Sequence, residues 1–165
     1  MMAFIRKAGT IAVFAGLVAV CTGTQAQGPF GAPNESSAFS IPENQLVQPA
    51  ELSRILAAKS GVKPLVLQVG SRVLFEQAHI AGSEYDGPGS QQAGLDQLKK
   101  RVAALPKDKA IVLYCGCCPW NRCPNVAPAF RLLQGMGFTQ VKVLYIANNF
   151  GADWAEKGYP VERSH

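Results

Sequence analysis

The stretch that decides the fold is an apolar run followed by a loop rich in cysteine and proline, Ala110-Ile111-Val112-Leu113-Tyr114-Cys115-Gly116-Cys117-Cys118-Pro119-Trp120-Asn121-Arg122-Cys123-Pro124-Asn125. The apolar run predicts a strand over 110–114, because a short run of aliphatic residues is typical of a strand that is buried on both faces. After the loop, apolar residues at helical spacing predict a helix that Gly137 closes: Val126, Phe130, Leu133 and Met136. The stretch therefore predicts strand, irregular loop and helix, in that order.

The flanking sequence continues the alternation of strand and helix. Apolar runs at 65–69 and 141–146 predict two further strands. Pro49 suits the first position of a helix that we expect to stop at Gly61, and a second helix is predicted up to Pro106. The apolar residues of these two helices are Leu52, Ile55, Leu56, Leu95, Leu98, Val102 and Leu105.

This order of elements predicts an α/β fold. Strands that alternate with helices are typical of a doubly wound, mainly parallel sheet with helices on both faces. A short helix is predicted near the end of the chain, over 153–157. In such sheets the functional groups gather at the carboxyl ends of the strands. Cys115 directly follows a predicted strand, so it occupies such a position.

The amino-terminal segment has the three parts of a secretory signal peptide. Arg6 and Lys7 precede an uncharged run that extends to Gly23, and small or polar residues follow as far as Ala26. We therefore expect cleavage after Ala26, a periplasmic or otherwise exported location, and no stable membrane insertion after cleavage. An uncleaved anchor and a lipid anchor at Cys21 stay open as alternatives.

The rest of the chain is predicted to form a leader and one domain. Residues 27–48 are rich in Gly, Pro, Asn and Ser, which predicts an extended leader, and residues 49–162 are predicted to form the domain. A chain of 165 residues with 48% hydrophobic and 16% charged residues suits one compact core. The net charge of +5 includes the two cations of the signal peptide, and the basic cluster at 99–101 lacks aromatic neighbours. We therefore expect no nucleic-acid partner.

The cysteine-rich loop is where the sequence predicts chemistry. Four cysteines lie within nine residues: Cys115, Cys117, Cys118 and Cys123. A thiol between the end of a strand and the start of a helix experiences the positive end of the helix dipole, which favours the thiolate. Arg122 adds a cation. Such a thiolate is a nucleophile toward a sulfane sulfur or a disulfide, and the amides of a tight loop can hold the resulting anion.

Two further motifs carry a resemblance to a known family: His79-Ile80-Ala81-Gly82-Ser83 and Trp154-Ala155-Glu156-Lys157-Gly158-Tyr159-Pro160-Val161. With the strand that ends before Cys115, their order over residues 49–162 resembles a single rhodanese-type sulfurtransferase domain. The resemblance implies that Cys115 takes a sulfane sulfur from a small donor such as thiosulfate, holds it as a persulfide, and passes it to a thiol or another nucleophile. The covalent persulfide is then the intermediate, and no separate cofactor is implied.

We also expect roles for the remaining residues of the loop. Arg122 is expected to attract the anionic donor. One of three thiols is expected to resolve the persulfide into a disulfide: Cys117, Cys118 or Cys123. The loop residues expected to cradle the persulfide are Gly116, Pro119, Trp120 and Asn121. His79 is expected to have a hydrogen-bonded packing role.

The sequence departs from the family's pattern in three places. Where the family's first strand usually ends in Asp-Val-Arg, this chain has Gln68-Val69-Gly70, so the acid and the base of that polar network are both missing. Ala81 stands where the histidine motif usually has a proline. Arg122 lies farther along the chain from Cys115 than the family's arginine lies from its cysteine.

Three other uses of the loop stay open. Cys115 and Cys118 have the spacing of a thiol-disulfide redox pair. The four thiolates together offer a ligand set for a soft ion such as Cu(I) or Zn(II), which would make the domain a binding module without catalysis. In an oxidising compartment the cysteines can instead form disulfides that staple the loop, Cys115 with Cys118 or Cys117 with Cys123.

Overall fold

A sheet of five parallel strands lies at the centre of residues 40–164, the part of the chain that this computed structural model describes. The strands in chain order are β1 (Leu46–Val47), β2 (Leu65–Gln68), β3 (His79–Ile80), β4 (Glu84–Tyr85), β5 (Ile111–Tyr114), β6 (Val141–Leu144) and β7 (Val161–Glu162). The spatial order of the sheet is β1-β6-β5-β2-β4, with every neighbouring pair parallel. β3 and β7 form a separate antiparallel pair. The predicted α/β fold with a mainly parallel sheet is confirmed.

In the described part of the chain, four α-helices connect the strands: α1 (Pro49–Ala57), α2 (Arg72–Gln77), α3 (Gln92–Val102) and α4 (Val126–Gly135). α1 begins with Pro49, as predicted, but ends at Ala57, short of Gly61. Two 3-10 turns, Glu43–Gln45 and Trp120–Arg122, complete the helical elements together with a π-helical turn at Gly151–Ala155. The π-helical turn overlaps the short helix predicted over 153–157.

Strand residues alternate between two apolar cores, one on each face of the sheet. Leu67, Ile111 and Leu113 belong to the core that contains the apolar faces of α3 and α4. Val66 and Val112 belong to the other core, with Leu52 of α1 and Trp154. Successive side chains of a strand point to opposite faces, so helices on both sides require apolar residues at every strand position. This is why β2, β5 and β6 appear in the sequence as mainly apolar runs, with Gln68 and the exposed Lys142 as the polar exceptions.

The sheet begins earlier in the chain than the sequence predicts. β1 lies inside the segment 27–48 that the sequence predicts as a leader, and Val47 is buried and paired with Leu144 of β6. The predicted signal peptide, 1–26, and the first part of the predicted leader, 27–39, lie outside the described residues. Within residues 40–164, no helix has the length and apolar character needed to cross a membrane.

Candidate active site

Cys115 is the first residue after β5, at the centre of one edge of the sheet. The strands on either side, β2 and β6, run parallel to β5 and end at the same edge. The chain leaves the sheet through Gly116, whose φ of +85° is a left-handed conformation that glycine adopts without strain. Cys115 is only 3% exposed. The topology thus places the predicted nucleophile where functional groups of parallel sheets gather.

The four loop cysteines form one sulfur cluster, which we define as Cys115, Cys117, Cys118 and Cys123. Their Sγ atoms all lie within 4.8 Å of one another. The Sγ of Cys117 is 3.2 Å from that of Cys115 and 3.2 Å from that of Cys118. All four are free cysteines, so the loop-stapling disulfides are not formed in this structure. The Sγ of Cys117 is thus within hydrogen-bonding distance of the predicted nucleophile.

The sulfur cluster favours a thiolate at Cys115 and thiols around it. A hydrogen bond from the Cys123 thiol lowers the pKa of Cys115 to about 6, against the opposing effect of burial. The side chain and the amide of Cys117 and the side chain of Asn125 lower that pKa further. Partial burial of its sulfur and hydrogen bonding to Cys115 and Cys118 raise the pKa of Cys117 to about 12. Hydrogen bonding to Cys115, followed by burial, raises the pKa of Cys123.

Asn125 is a site residue that sequence reasoning missed. Its Nδ2 donates to the Sγ of Cys115 at 3.4 Å and to the Sγ of Cys123 at 3.9 Å. Its Oδ1 accepts from the backbone N–H of Ser90 at 3.0 Å, which orients the amide so that the NH₂ group is directed to the sulfurs. Asn125 precedes α4 in a capping position but makes no side-chain cap.

Gln68, the last residue of β2, ties the neighbouring strand to Cys115. Its Nε2 donates to the carbonyl oxygen of Cys115 at 3.0 Å, and its Oε1 accepts from the backbone N–H of Gly70 at 3.1 Å. Gly70 lies directly against the nucleophile, because a Cβ there would meet the Sγ of Cys115 at 2.8 Å. The two departures from the family's strand ending are therefore parts of this site.

A cavity of about 310 Å³ opens beside Cys115 and Cys117. Its wall contains three side-chain amides and two aromatic rings, and none of the lining residues within 40–164 is charged: Gln68, Leu74, Gln77, Ala78, Tyr114, Gly116, Asn149, Phe150 and Gly151. A larger cavity of about 410 Å³ lies at the amino ends of β5 and β6 and is lined by no cysteine. The chemistry therefore belongs to the smaller cavity.

The backbone groups of the predicted cradle differ in their hydrogen-bond partners. The amide of Cys117 hydrogen-bonds to the sulfur of Cys115. The amide of Trp120 instead donates to the carbonyl oxygen of Ile146 at 2.9 Å, so it is engaged outside the sulfur cluster. Gly116 lines the cavity and accepts at its carbonyl oxygen from the backbone N–H of Phe150 at 2.8 Å. Contributions of Pro119 and Asn121 to the cradle stay predictions.

Two other residues that the resemblance singles out lie away from the cavity wall. Arg122 is exposed and does not line the cavity, so its attraction of an anionic donor stays a prediction. His79 is buried, its Nδ1 lies 2.7 Å from the carbonyl oxygen of Phe75, and its ring stacks on Phe75 at 3.8 Å. These contacts are those of a packing residue.

The motif that starts at His79 reaches the site through Tyr114. The hydroxyl of Tyr114 accepts from the backbone N–H of Ile80 at 3.1 Å and lies 3.0 Å from Oγ of Ser83. Burial raises the pKa of Tyr114 to about 12, so the hydroxyl keeps its proton at neutral pH. The motif thus supports the end of β5, directly before the nucleophile.

Solved structures show which fold this is. The crystal structure of the Alr3790 protein from Anabaena sp. aligns with a TM-score of 0.56 and 21% identity, covering 72% of this chain and 92% of that chain. The solution structure of the rhodanese-like domain of Alr3790 aligns with a TM-score of 0.53 and 21% identity, covering 72% of this chain and 79% of that chain. The crystal structure of the BH2092 protein from Bacillus halodurans aligns with a TM-score of 0.53 and 22% identity, covering 72% of this chain and 76% of that chain. No protein-family model and no curated protein matches the chain.

The fold is rhodanese-like. The resemblance found in the sequence is thereby confirmed at the level of the fold. In this rhodanese-like domain, β5 and its flanking strands place Cys115 at the edge of the sheet. At 21–22% identity, the likeness to these structures concerns the architecture of the domain.

Proposed function

We propose that this rhodanese-like domain is an exported sulfurtransferase that passes a sulfane sulfur, through a persulfide on Cys115, to a thiol or another nucleophile. The observation that carries the proposal is the environment of the Sγ atom of Cys115. The Sγ of Cys115 borders a cavity and receives hydrogen bonds from the side chains of Cys117 and Asn125. A thiolate stabilised in this way, with room beside it for a small donor, is suited to nucleophilic attack on sulfur.

The first half-reaction cleaves the S–S bond of the donor. With thiosulfate, the Cys115 thiolate attacks the outer sulfur, a new S–S bond forms, and sulfite leaves with the electron pair of the broken bond. The amide of Cys117 and the NH₂ group of Asn125 are donors for the persulfide anion that results. In the second half-reaction the acceptor attacks the outer sulfur, and Cys115 leaves as a thiolate. The two steps balance without an external oxidant or reductant.

The lining of the cavity favours a donor of low charge. A dianion such as thiosulfate is held best by cations, whereas the side chains here are amides, aromatic rings and an aliphatic chain. Amide groups at Gln68, Gln77 and Asn149 can hydrogen-bond a singly charged or neutral ligand. We therefore expect an organic hydropersulfide to have a higher kcat/KM as donor than thiosulfate.

The test is the loss of transfer in Cys115→Ser. Thiocyanate formation is measured with each donor and cyanide, and persulfide formation is measured with a small thiol as acceptor. The proposal predicts that Cys115→Ser transfers no sulfur in either assay while unfolding in urea as cooperatively as the parent. Transfer by Cys115→Ser at a rate near that of the parent contradicts the proposal. If Cys115→Ser loses both activity and cooperative unfolding, Cys115→Ala is measured as a second variant. The proposal then requires that Cys115→Ala is folded and inactive.

Export is the second part of the proposal, supported by the charge and apolar pattern of residues 1–26. Its test is the amino-terminal sequence of the protein recovered from the exported fraction of its host. The proposal predicts that the mature chain begins at Gln27. A chain that starts at Met1 and stays in the cytosolic fraction contradicts it.

Binding of a soft metal ion is a second candidate function, favoured by the spacing of the sulfur cluster. Tetrahedral Zn(II) with Zn–S bonds of about 2.3 Å requires sulfurs about 3.8 Å apart. In the sulfur cluster two Sγ–Sγ distances are 3.2 Å, and all Sγ atoms lie within 4.8 Å of one another. Small movements of the cysteine side chains therefore suffice to reach the tetrahedral spacing. The test is native mass spectrometry of protein purified under reducing conditions and loaded with Zn(II) or Cu(I). One tightly held ion that protects all four thiols from alkylation supports the site, and full alkylation in the presence of either ion contradicts it.

A further inference from the structure

The first two residues of the sulfur cluster, Cys115 and Cys117, differ strongly in solvent exposure. Cys115 is 3% exposed, whereas Cys117 is exposed at the surface of the loop. Both line the same cavity. A small nucleophile can enter this cavity, but the thiol of a folded protein cannot bring its sulfur to a buried atom at the end of β5. A sulfur held on Cys115 is therefore separated from any bulky acceptor.

The loop brings Cys117 back toward Cys115 instead of leading it away. Gly116, with φ of +85°, reverses the chain between the two cysteines, and its carbonyl oxygen is held by the backbone N–H of Phe150. The two Sγ atoms consequently lie 3.2 Å apart. A sulfur atom bound to the Sγ of Cys115 on the cavity side is thus within reach of the Sγ of Cys117.

We propose that Cys117 is a second sulfur carrier, which takes the sulfane sulfur from the buried Cys115 and presents it to protein-sized thiol acceptors at the surface. This inference rests on the sulfurtransferase function proposed above. It assigns to Cys117 a transfer of the outer sulfur, which differs from resolution of the persulfide into a disulfide.

The relay step is balanced. The outer sulfur of the Cys115 persulfide anion first takes the proton of the Cys117 thiol, which makes Cys117 a thiolate. This thiolate attacks the protonated outer sulfur, the S–S bond at Cys115 breaks, and Cys115 receives its electron pair as a thiolate. The proton of the Cys117 thiol ends on the new persulfide. Attack on the inner sulfur instead forms a Cys115–Cys117 disulfide and releases hydrosulfide, after which an external reductant is needed. The hydrogen bond from Nδ2 of Asn125 stabilises the Cys115 thiolate and makes it a good leaving group, which favours the relay.

The experiment compares a small and a large acceptor in Cys117→Ser. The serine hydroxyl keeps a hydrogen-bond donor beside Cys115 but carries no sulfur. The measured quantity is the ratio of two transfer rates, one to cyanide and one to a folded carrier protein with a single exposed cysteine. We expect this ratio to shift by roughly tenfold or more toward cyanide in Cys117→Ser. Gln134→Leu, a substitution on the exposed face of α4, serves as the matched control and should leave the ratio unchanged.

Peptide mapping of the parent protein supplies the second readout. Cleavage after Lys109 and Arg122 leaves Cys115, Cys117 and Cys118 in one peptide, whose fragment ions assign the added sulfur. After addition of one equivalent of donor and alkylation, the relay predicts part of the sulfur on Cys117. In Cys117→Ser all of it should remain on Cys115.

The outcomes separate this inference from the function on which it rests. If neither the parent nor Cys117→Ser takes up sulfur, the sulfurtransferase proposal fails and the relay fails with it. If both take up sulfur and the ratio of rates is unchanged, the sulfurtransferase stands and the relay is wrong. Appearance of a Cys115–Cys117 disulfide with release of hydrosulfide, before any acceptor is added, also overturns the relay.

Discussion

Gly70 lies so close to Cys115 that a Cβ at Gly70 would stand 2.8 Å from both the Sγ and the carbonyl oxygen of Cys115. Real Cβ atoms essentially never approach another heavy atom this closely, so a side chain here forces one of the two strands to move. The end of β2 therefore closes directly against the nucleophile, at a position where the rhodanese pattern has an arginine.

We predict that Gly70→Ala lowers sulfur transfer by roughly tenfold or more, because a displacement of about 1 Å at the reacting atom has effects of that size or larger. Overpacking at this buried contact should also lower the free energy of unfolding by about 1–3 kcal/mol. The measurements are transfer to cyanide and unfolding in urea. The control is Gly135→Ala in α4, where a Cβ meets nothing within 4 Å and the change should stabilise the protein by about 0.5–1 kcal/mol. Equal transfer rates in the two variants contradict the prediction.

Gln68 is predicted to be a positioning residue for Cys115. In Gln68→Leu the carbonyl oxygen of Cys115 and the backbone N–H of Gly70 lose their partners, and each buried unpaired group costs about 1–3 kcal/mol. We expect kcat to fall more than KM changes, because the side chain holds the nucleophile in place. The exposed Gln134→Leu should change the free energy of unfolding by no more than about 0.5 kcal/mol. A Gln68→Leu variant with the parent's kcat and stability excludes this role.

The lowered pKa of Cys115 predicts the pH dependence of its alkylation. The thiolate is the reactive form, so the rate of modification by iodoacetamide should rise with pH and reach half its maximum near pH 6. Cys117, whose pKa is raised to about 12, should react at much higher pH. Peptide mapping at a series of pH values separates the two residues. A midpoint for Cys115 near pH 8.5, where an ordinary thiol titrates, contradicts the prediction.

Asn125 should contribute to this shift. Asn125→Asp keeps the oxygen that accepts from the backbone N–H of Ser90 but removes the NH₂ group that donates to the Sγ of Cys115. A carboxylate beside the sulfur also disfavours a second negative charge. The alkylation midpoint of Cys115 should therefore move to higher pH in this variant. An unchanged midpoint shows that Asn125 does not stabilise the thiolate.

Asp86, which follows β4, is predicted to make stability depend on pH. It is 2% exposed, its Oδ2 has no hydrogen-bond partner, and burial raises its pKa to about 6. Between about pH 4 and pH 6 the folded state then binds more protons than the unfolded state, so stability should fall as pH rises through this window. Asp86→Asn should remove that fall. The midpoint of urea unfolding, measured from pH 4 to pH 7, reports this dependence of stability on pH. Asp108 is exposed, so Asp108→Asn serves as a control that should keep the parent's pH dependence.

The long elements of the fold are visible in the sequence because each buries an apolar face. β5 is a continuous apolar run, β2 and β6 are apolar except for Gln68 and the exposed Lys142, and α4 has buried residues at helical spacing. α2 gives no such signal, because none of its six residues is buried and Val73 is 61% exposed. β3, β4 and β7 have two residues each, which is too short for any periodicity to appear.

The candidate site was predictable only where its residues are neighbours in sequence. The loop from Cys115 to Cys123 was identified from its composition and its place after a strand. The contacts of Gln68 and Gly70 with Cys115 depend on the parallel pairing of β2 with β5, which the spacing of residues does not reveal. The sequence marked both positions as departures from a pattern, and the structure gives each of them a contact with the nucleophile.

The measurement that tests the central claim most directly is the intact mass of the reduced protein before and after one equivalent of an organic hydropersulfide, followed by cyanide. The account predicts the addition of one sulfur atom, its location within residues 110–122, and its complete removal by cyanide as thiocyanate. It also predicts that Cys115→Ser gains no sulfur under the same conditions. A parent protein that gains no sulfur, or a Cys115→Ser variant that gains as much as the parent, contradicts the account.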